Sequence, residues 1–137
     1  MTPSGFLIMG VSGSGKTTLA KALANHLHWS FFDADDFHPP QNIAKMTAGI
    51  PLDDSDRMPW LAALHDRLLS TLKADRHPVL ACSALKEKYR TQLLDGLGGI
   101  VIIHLAGSYD LIRSRMDGRA GHYMKPEMLK SQFDALE

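Results

Sequence analysis

Gly10-Val11-Ser12-Gly13-Ser14-Gly15-Lys16-Thr17 spells G-x-x-x-x-G-K-T. Glycines at this spacing let successive backbone N–H groups turn inward around phosphate oxygens. Lys16 then reaches the β- and γ-phosphates as a point charge, and the Thr17 hydroxyl can sit on Mg²⁺. Such a loop needs a strand before it and a helix after it. Phe6-Leu7-Ile8-Met9 is an unbroken apolar run, the pattern of a parallel strand covered on both faces. Leu19, Leu23 and Leu27 recur at spacing four and predict an apolar stripe on a helix over about 15–28. Strand, phosphate loop and helix thus follow in order. The expected nucleotide contacts are Gly10, Ser12, Gly13, Ser14, Gly15, Lys16, Thr17 and Thr18.

Strand and helix signals alternate from there, which predicts an α/β domain with a parallel sheet and flanking helices. Phe31-Phe32 lead into Asp33-Ala34-Asp35-Asp36, a short strand ending in acid. Pro39-Pro40 opens a short helix that Gly49 stops. Asp53-Asp54-Ser55-Asp56 offers an N-cap, and Trp60, Leu64, Leu68 and Leu72 predict the buried stripe of a helix broken by His77-Pro78. Pro78–Ala81 reads as a third strand, 85–94 as a polar helix and 100–105 as a fourth strand. Ser108 caps a helix over about 109–117, and Lys125-Pro126 opens a last one bearing Leu129, Phe133 and Leu136. At 137 residues this is one domain, 1–137, with no internal repeat.

Fifteen basic residues balance fifteen acidic ones, which argues against nucleic acid or an anionic membrane as the main partner. The single cysteine, Cys82, excludes an intrachain disulfide and points to a reducing cytosol; in an apolar run it reads as a small buried residue. No stretch has the form of a signal peptide or a membrane span, so the expected location is cytoplasmic.

Open parallel sheets bind ligands beyond the carboxyl ends of their strands. Asp33 and Asp35 fall there, two apart, one able to face a metal and the other a substrate. Phosphoryl transfer needs Mg²⁺ to gather charge and a carboxylate to take the acceptor proton. The third strand ends in Ala81-Cys82-Ser83 and the fourth in His104-Leu105-Ala106-Gly107, neither with the usual Walker B aspartate, which makes Asp33 the candidate for orienting the Mg²⁺ water shell. Arg115 and Arg119 lie on and beside a Gly-rich basic segment. That composition suits a lid over about 117–126 that brings guanidinium groups to the transferring phosphate. Arg57, Lys86, Arg90 and His122 are further cations for an anionic small molecule. Lys86 and Arg90 are expected on one face of their helix, with solvated charge the alternative for Arg90. A capping ion pair is the alternative for Arg57.

The blocks that run through the chain resemble bacterial gluconokinases. They are Gly10 to Thr17, Asp33-Ala34-Asp35-Asp36-Phe37-His38-Pro39, Asn42 to Met46, Gly49 to Leu52, Asp56 to Leu61, Cys82-Ser83-Ala84-Leu85-Lys86 with Tyr89-Arg90, Arg119 to Met124, and Ser131-Gln132-Phe133. The resemblance implies the fold of the small nucleoside-monophosphate-type P-loop kinases, with ATP and Mg²⁺. It implies transfer to the 6-hydroxyl of D-gluconate to give 6-phosphogluconate, and an often dimeric state. By analogy with the related shikimate kinases, it implies that Asp33 steadies the Mg²⁺ shell, Asp35 is the base and Arg57 holds the substrate carboxylate. His38, Lys86 and His122 complete the substrate side, and Thr17 with Asp33 the metal side. Such kinases continue past the position of Glu137 through a further strand and helix. The last strand of the sheet and part of the adenine wall are therefore expected to be missing. Two other readings stay open: a kinase of the same fold for another hydroxy acid such as shikimate, and an inactive truncated nucleotide-binding fragment.

Overall fold

A computed structural model of the chain describes residues 3–11, 15–105 and 136. Among them are four strands, β1 (Gly5–Met9), β2 (Ser30–Asp33), β3 (Pro78–Ala81) and β4 (Ile100–His104), and four helices, α1 (Lys16–Leu27), α2 (Pro40–Thr47), α3 (Asp54–Lys73) and α4 (Glu87–Leu93). The strands form one sheet in the order β2-β3-β1-β4. Every pairing is parallel; Leu7 lies opposite both Leu80 of β3 and Ile102 of β4. The helices between successive strands are the crossovers that parallel pairing requires.

The two central strands are buried on both faces, as their apolar runs predict. Side chains alternate with period two. Leu7, Met9, Leu80 and Cys82 join Trp60, Leu61, Leu64 and Leu68 of α3 and Tyr89 and Leu93 of α4 in one core. Leu136 packs at its margin. Ile8, Val79 and Ala81 face α1 in the other core.

The stripe expected on α1 is corrected by the structure. Its buried residues are Ala20 and Ala24, while Leu19 is 37% exposed and Leu23 only packs at the edge. Alanine leaves little side chain between helix and sheet, so the leucines fall to the flanks of the contact. On α3, Trp60, Leu64 and Leu68 are buried as expected, but Leu72 is only half-buried and Thr71 is buried in its place. A residue every four positions drifts about 40° per step around a helix of 3.6 residues per turn. Leu72 has thus rotated about 120° from Trp60, whereas Thr71 is back within about 20°.

Helices α2 and α3 both end on residues in the left-handed conformation. The α2 helix closes in a Schellman motif: Ile50 N–H donates to Lys45 O, Gly49 N–H donates to Met46 O, and Gly49 takes φ 78°. The α3 helix ends at Lys73 in the same motif, with Asp75 at φ 57°, Asp75 N–H donating to Leu72 O and Arg76 N–H to Thr71 O. It therefore stops before His77-Pro78; Pro78 is instead the first residue of β3. At its start, Asp53 and Asp56 form a reciprocal capping box.

Candidate active site

The loops after β1, β2 and β3 open on the same edge of the sheet, at its carboxyl ends. Gly15, at φ 95°, adopts the left-handed conformation that starts α1 and that a side chain would strain. Lys16 is the first residue of α1, half-buried, with Nζ 3.5 Å from Val11 O. The first turn of α1 carries no acidic residue of its own, which suits the positive end of this twelve-residue helix to an anion. Thr18 is exposed. Ser12, Gly13 and Ser14 lie outside the described residues, as do Arg115, Arg119, His122 and the lid expected over 117–126.

Asp33, the last residue of β2, binds both neighbouring elements. Its Oδ2 accepts from Thr17 Oγ1 at 3.2 Å and its Oδ1 accepts from Asp35 N–H at 3.0 Å. It thereby caps the 3-10 turn Ala34–Phe37 and joins that turn to the phosphate loop. Trp60 Nε1–H donates to Ala34 O at 2.7 Å, pinning the same turn onto α3. A hydroxyl and a carboxylate side by side are hard oxygen donors of the kind Mg²⁺ takes, with waters and phosphate oxygens supplying the rest of its shell. Among the described residues no group of three or more His, Cys, Asp or Glu side chains could hold a metal by itself. At the end of β3, burial pushes the Cys82 thiol up to about 12, and the charges of Lys16, Asp35 and Asp33 all act on it. Those three charged groups therefore lie within electrostatic reach of the end of β3, and the thiol itself is not a nucleophile.

A second group lies beyond the acidic turn. The His38 ring stacks on Trp60, with centroids 4.2 Å apart and planes 11° from parallel. Asn42 is fully buried, and its Nδ2 donates to Asp56 O at 2.9 Å. A carbonyl can only accept, which fixes the amide; the second Nδ2 proton then faces His38 Nδ1 at 3.2 Å. Nδ1 is thus the acceptor, and the neutral imidazole carries its proton on Nε2. Burial, aided by the Arg57 charge, lowers the His38 pKa to about 4.

This has a measurable consequence for stability. Between pH 6.5 and about 4 the unfolded chain binds a proton at His38 that the folded chain does not, so stability is complete above 6.5 and falls as pH drops toward 4. With solvent screening allowed for, the loss is on the order of 1–2 kcal/mol, or several degrees of melting temperature. An NMR titration, assigned with His38→Gln, should place the His38 ring near pH 4; a midpoint near 6.5 would refute the buried neutral imidazole.

Arg57 does not form the capping ion pair considered from sequence. Its NH1 donates to Leu52 O at 2.7 Å and to Tyr89 Oη at 3.1 Å, and its guanidinium lies 5.1 Å from the centre of the Tyr89 ring. The capping acid Asp56 pairs instead with Lys45 at 2.9 Å. Lys86 and Arg90 do not share a helix face. Lys86 is the extended N-cap of α4, and its charge adds a small part to the lowering of the Asp54 carboxyl that Lys88 and Tyr89 dominate. Arg90 folds back to donate from NH1 to Ala84 O at 2.8 Å and Leu85 O at 3.2 Å, so it braces the loop after β3 rather than pointing into solvent. Asn42, Trp60 and Tyr89 carried no site signal of their own in the sequence. Each acts on a partner 14 to 32 positions away, at separations that no local pattern encodes.

Comparison with known proteins agrees with this geometry. A family model described as an AAA domain matches residues 6–137. A probable gluconokinase of Rattus norvegicus is 47% identical, over 99% of this chain and 83% of that protein. Among solved structures, an unliganded sugar kinase of Janibacter sp. HTCC2649 superposes with a TM-score of 0.92 at 43% identity, covering all of this chain and 79% of its own. A gluconokinase of Sinorhizobium meliloti 1021 superposes with a TM-score of 0.87 at 43% identity, over 98% of this chain and 75% of its own. Identity near one half, sustained along almost the full length and on a common backbone, goes beyond a shared phosphate loop: the chain belongs to the gluconokinase family of P-loop kinases.

Proposed function

We infer that this protein is an ATP-dependent kinase that phosphorylates D-gluconate at the 6-hydroxyl, giving 6-phospho-D-gluconate and ADP. The observation that carries the reading is the junction of phosphate loop and acidic turn, where Thr17 meets Asp33 and Asp33 holds the backbone of Asp35. On this reading the phosphate loop, from Gly10 through Thr18, cradles the ATP phosphates, and Lys16 meets the charge that builds between the β- and γ-groups. Thr17, and Asp33 through water, would hold Mg²⁺, which when bound neutralises phosphate charge. Asp35 takes the proton of the 6-hydroxyl as its oxygen bonds to the γ-phosphorus and the bond to ADP breaks. Arg57 takes the substrate carboxylate, and Lys86 adds positive charge nearby. His38 offers Nε2–H to a hydroxyl. Arg115, Arg119 and His122 are assigned to a lid that closes over the transferring group and excludes water. No described helix is long and apolar enough to cross a membrane; a single buried cysteine suits a reducing cytosol.

A coupled ADP-release assay across gluconate, shikimate and the uncharged analogue glucitol tests the assignment. Turnover should be strongest with gluconate. Lysine cannot reproduce a bidentate guanidinium fork, so Arg57→Lys should raise KM for gluconate about tenfold or more, the scale of one charge-assisted hydrogen bond, and leave KM for ATP and the poor activity on glucitol nearly unchanged. Preference for shikimate would reassign the substrate. Equal losses for gluconate and glucitol would move the carboxylate site away from Arg57.

A further inference from the structure

We propose that Tyr89 is a positioning residue that sets the rotation of the Arg57 guanidinium and thereby selects a carboxylate-bearing substrate. The proposal rests on the reading of Arg57 as the carboxylate ligand. It is carried by a chain of hydrogen bonds whose directions are forced. Arginine can only donate and an ionised carboxylate can only accept. Tyr89 Oη lies 2.6 Å from Asp54 Oδ1 and 3.1 Å from Arg57 NH1. The phenol must therefore donate to Asp54 and accept from Arg57. Asp54 is fixed in turn by Lys88 Nζ, 2.5 Å from Oδ2. Lys88 and Tyr89 hold the Asp54 carboxyl down to about 2, and burial with the Asp54 contact pushes the phenol up, so both keep these states near neutral pH.

The consequence falls on Arg57. NH1 has two protons, and Leu52 O and Tyr89 Oη take both. Among the described residues, Nε–H and the two NH2 protons have no such partner. One edge of the planar group is closed by the protein, and the edge left over is the Nε/NH2 fork, which matches the two oxygens of a carboxylate. The Tyr89 ring beneath the guanidinium, 5.1 Å from it, restricts the plane as well. Tyr89 itself is buried and sits on α4, so it supports the fork from a rigid helix rather than from the loop that carries Leu52. A guanidinium held this way has lost its freedom to turn before substrate arrives, which lowers the ordering cost of binding.

A double-mutant cycle with Tyr89→Phe and Arg57→Lys separates positioning from a merely structural role. Phenylalanine keeps the buried ring and removes only the hydroxyl. Tyr89→Phe is expected to raise KM for gluconate about tenfold, with kcat, KM for ATP and activity on glucitol within about twofold of wild type. In the Arg57→Lys background, where no fork exists to orient, the same change should have almost no further effect. Asp54→Asn, at an exposed position, should shift KM for gluconate in the same direction by less, and add nothing to Tyr89→Phe; it serves as the second route should Tyr89→Phe fold poorly. Additive losses, or a fall in kcat and ATP binding alongside gluconate, would overturn the assignment of Tyr89 while leaving the gluconate activity standing. Absence of gluconate turnover in the wild type would overturn both.

Discussion

Replacing Lys16 with alanine is expected to lower turnover by about 10²-fold or more, the scale of losing one preorganised electrostatic contact to a developing charge. Lys16 opens α1 next to Gly15, and its ammonium group lies among charges rather than in either apolar core: Lys16, Asp33 and Asp35 all act on the Cys82 thiol from the end of β3. The first turn of α1 offers no acidic side chain to offset the positive helix end. Removing the lysine should leave the melting transition within a few degrees of wild type, because Lys16 belongs to neither apolar core. The coupled assay and a melting curve on the same preparation decide the matter. Turnover near that of wild type would sink the phosphate-loop assignment, and a collapse of the melting transition would show that Lys16 holds the fold.

Asp35→Asn should be more severe still, with turnover down by roughly 10²–10⁴-fold, the range for loss of a general base. This position is held firmly. Its backbone N–H is fixed by Asp33, and the preceding carbonyl, Ala34 O, is fixed by Trp60. Asparagine fits the same half-buried position and keeps its shape but cannot take a proton. ATP affinity, measured by calorimetry, should therefore change little. Asp33→Asn is predicted to act differently, since Asp33 touches Thr17 rather than the acceptor. It should raise the Mg²⁺ concentration needed for half-maximal rate. Should Asp35→Asn retain activity within a few-fold of wild type, the base lies elsewhere; should both variants show the wild-type Mg²⁺ dependence, the division of roles between the two aspartates fails.

Both substitutions concern residues that are legible in the amino-acid sequence alone, for a local reason. A phosphate loop is a run of consecutive backbone conformations, and Gly15 at φ 95° is required by its own turn. The acids after β2 are placed by a strand that stops. Parallel strands buried on both faces announce themselves as unbroken apolar runs, which is why β1 and β3 can be read to within a residue or so.

Where local patterns mislead, the deciding contacts are distant. Spacing-four leucines on α1 predict the wrong face, because the depth at which a helix settles on a sheet depends on the residues opposite; here Ala20 and Ala24 meet Ile8, Val79 and Ala81. Lys86 and Arg90, four apart, suggest neighbours on one helix face. Instead the loop after β3 uses Arg90 to satisfy its own carbonyls, with Lys86 left as the cap.

The sequence by itself determined the parallel α/β architecture, the phosphate loop with Lys16 and Thr17, and the acidic turn with Asp33 and Asp35, since each follows from backbone preferences and burial patterns within a few residues. Only the tertiary structure decided how these groups face one another. Packing between elements brings Thr17 against Asp33 across 16 positions, Asn42 against Asp56 across 14, and Arg57 against Tyr89 across 32. The direction of each of those hydrogen bonds, and with it the Nε2–H of His38 and the open fork of Arg57, depends on which donor meets which acceptor once the loops converge. That is a property of packing between elements, and no stretch of the chain carries it alone.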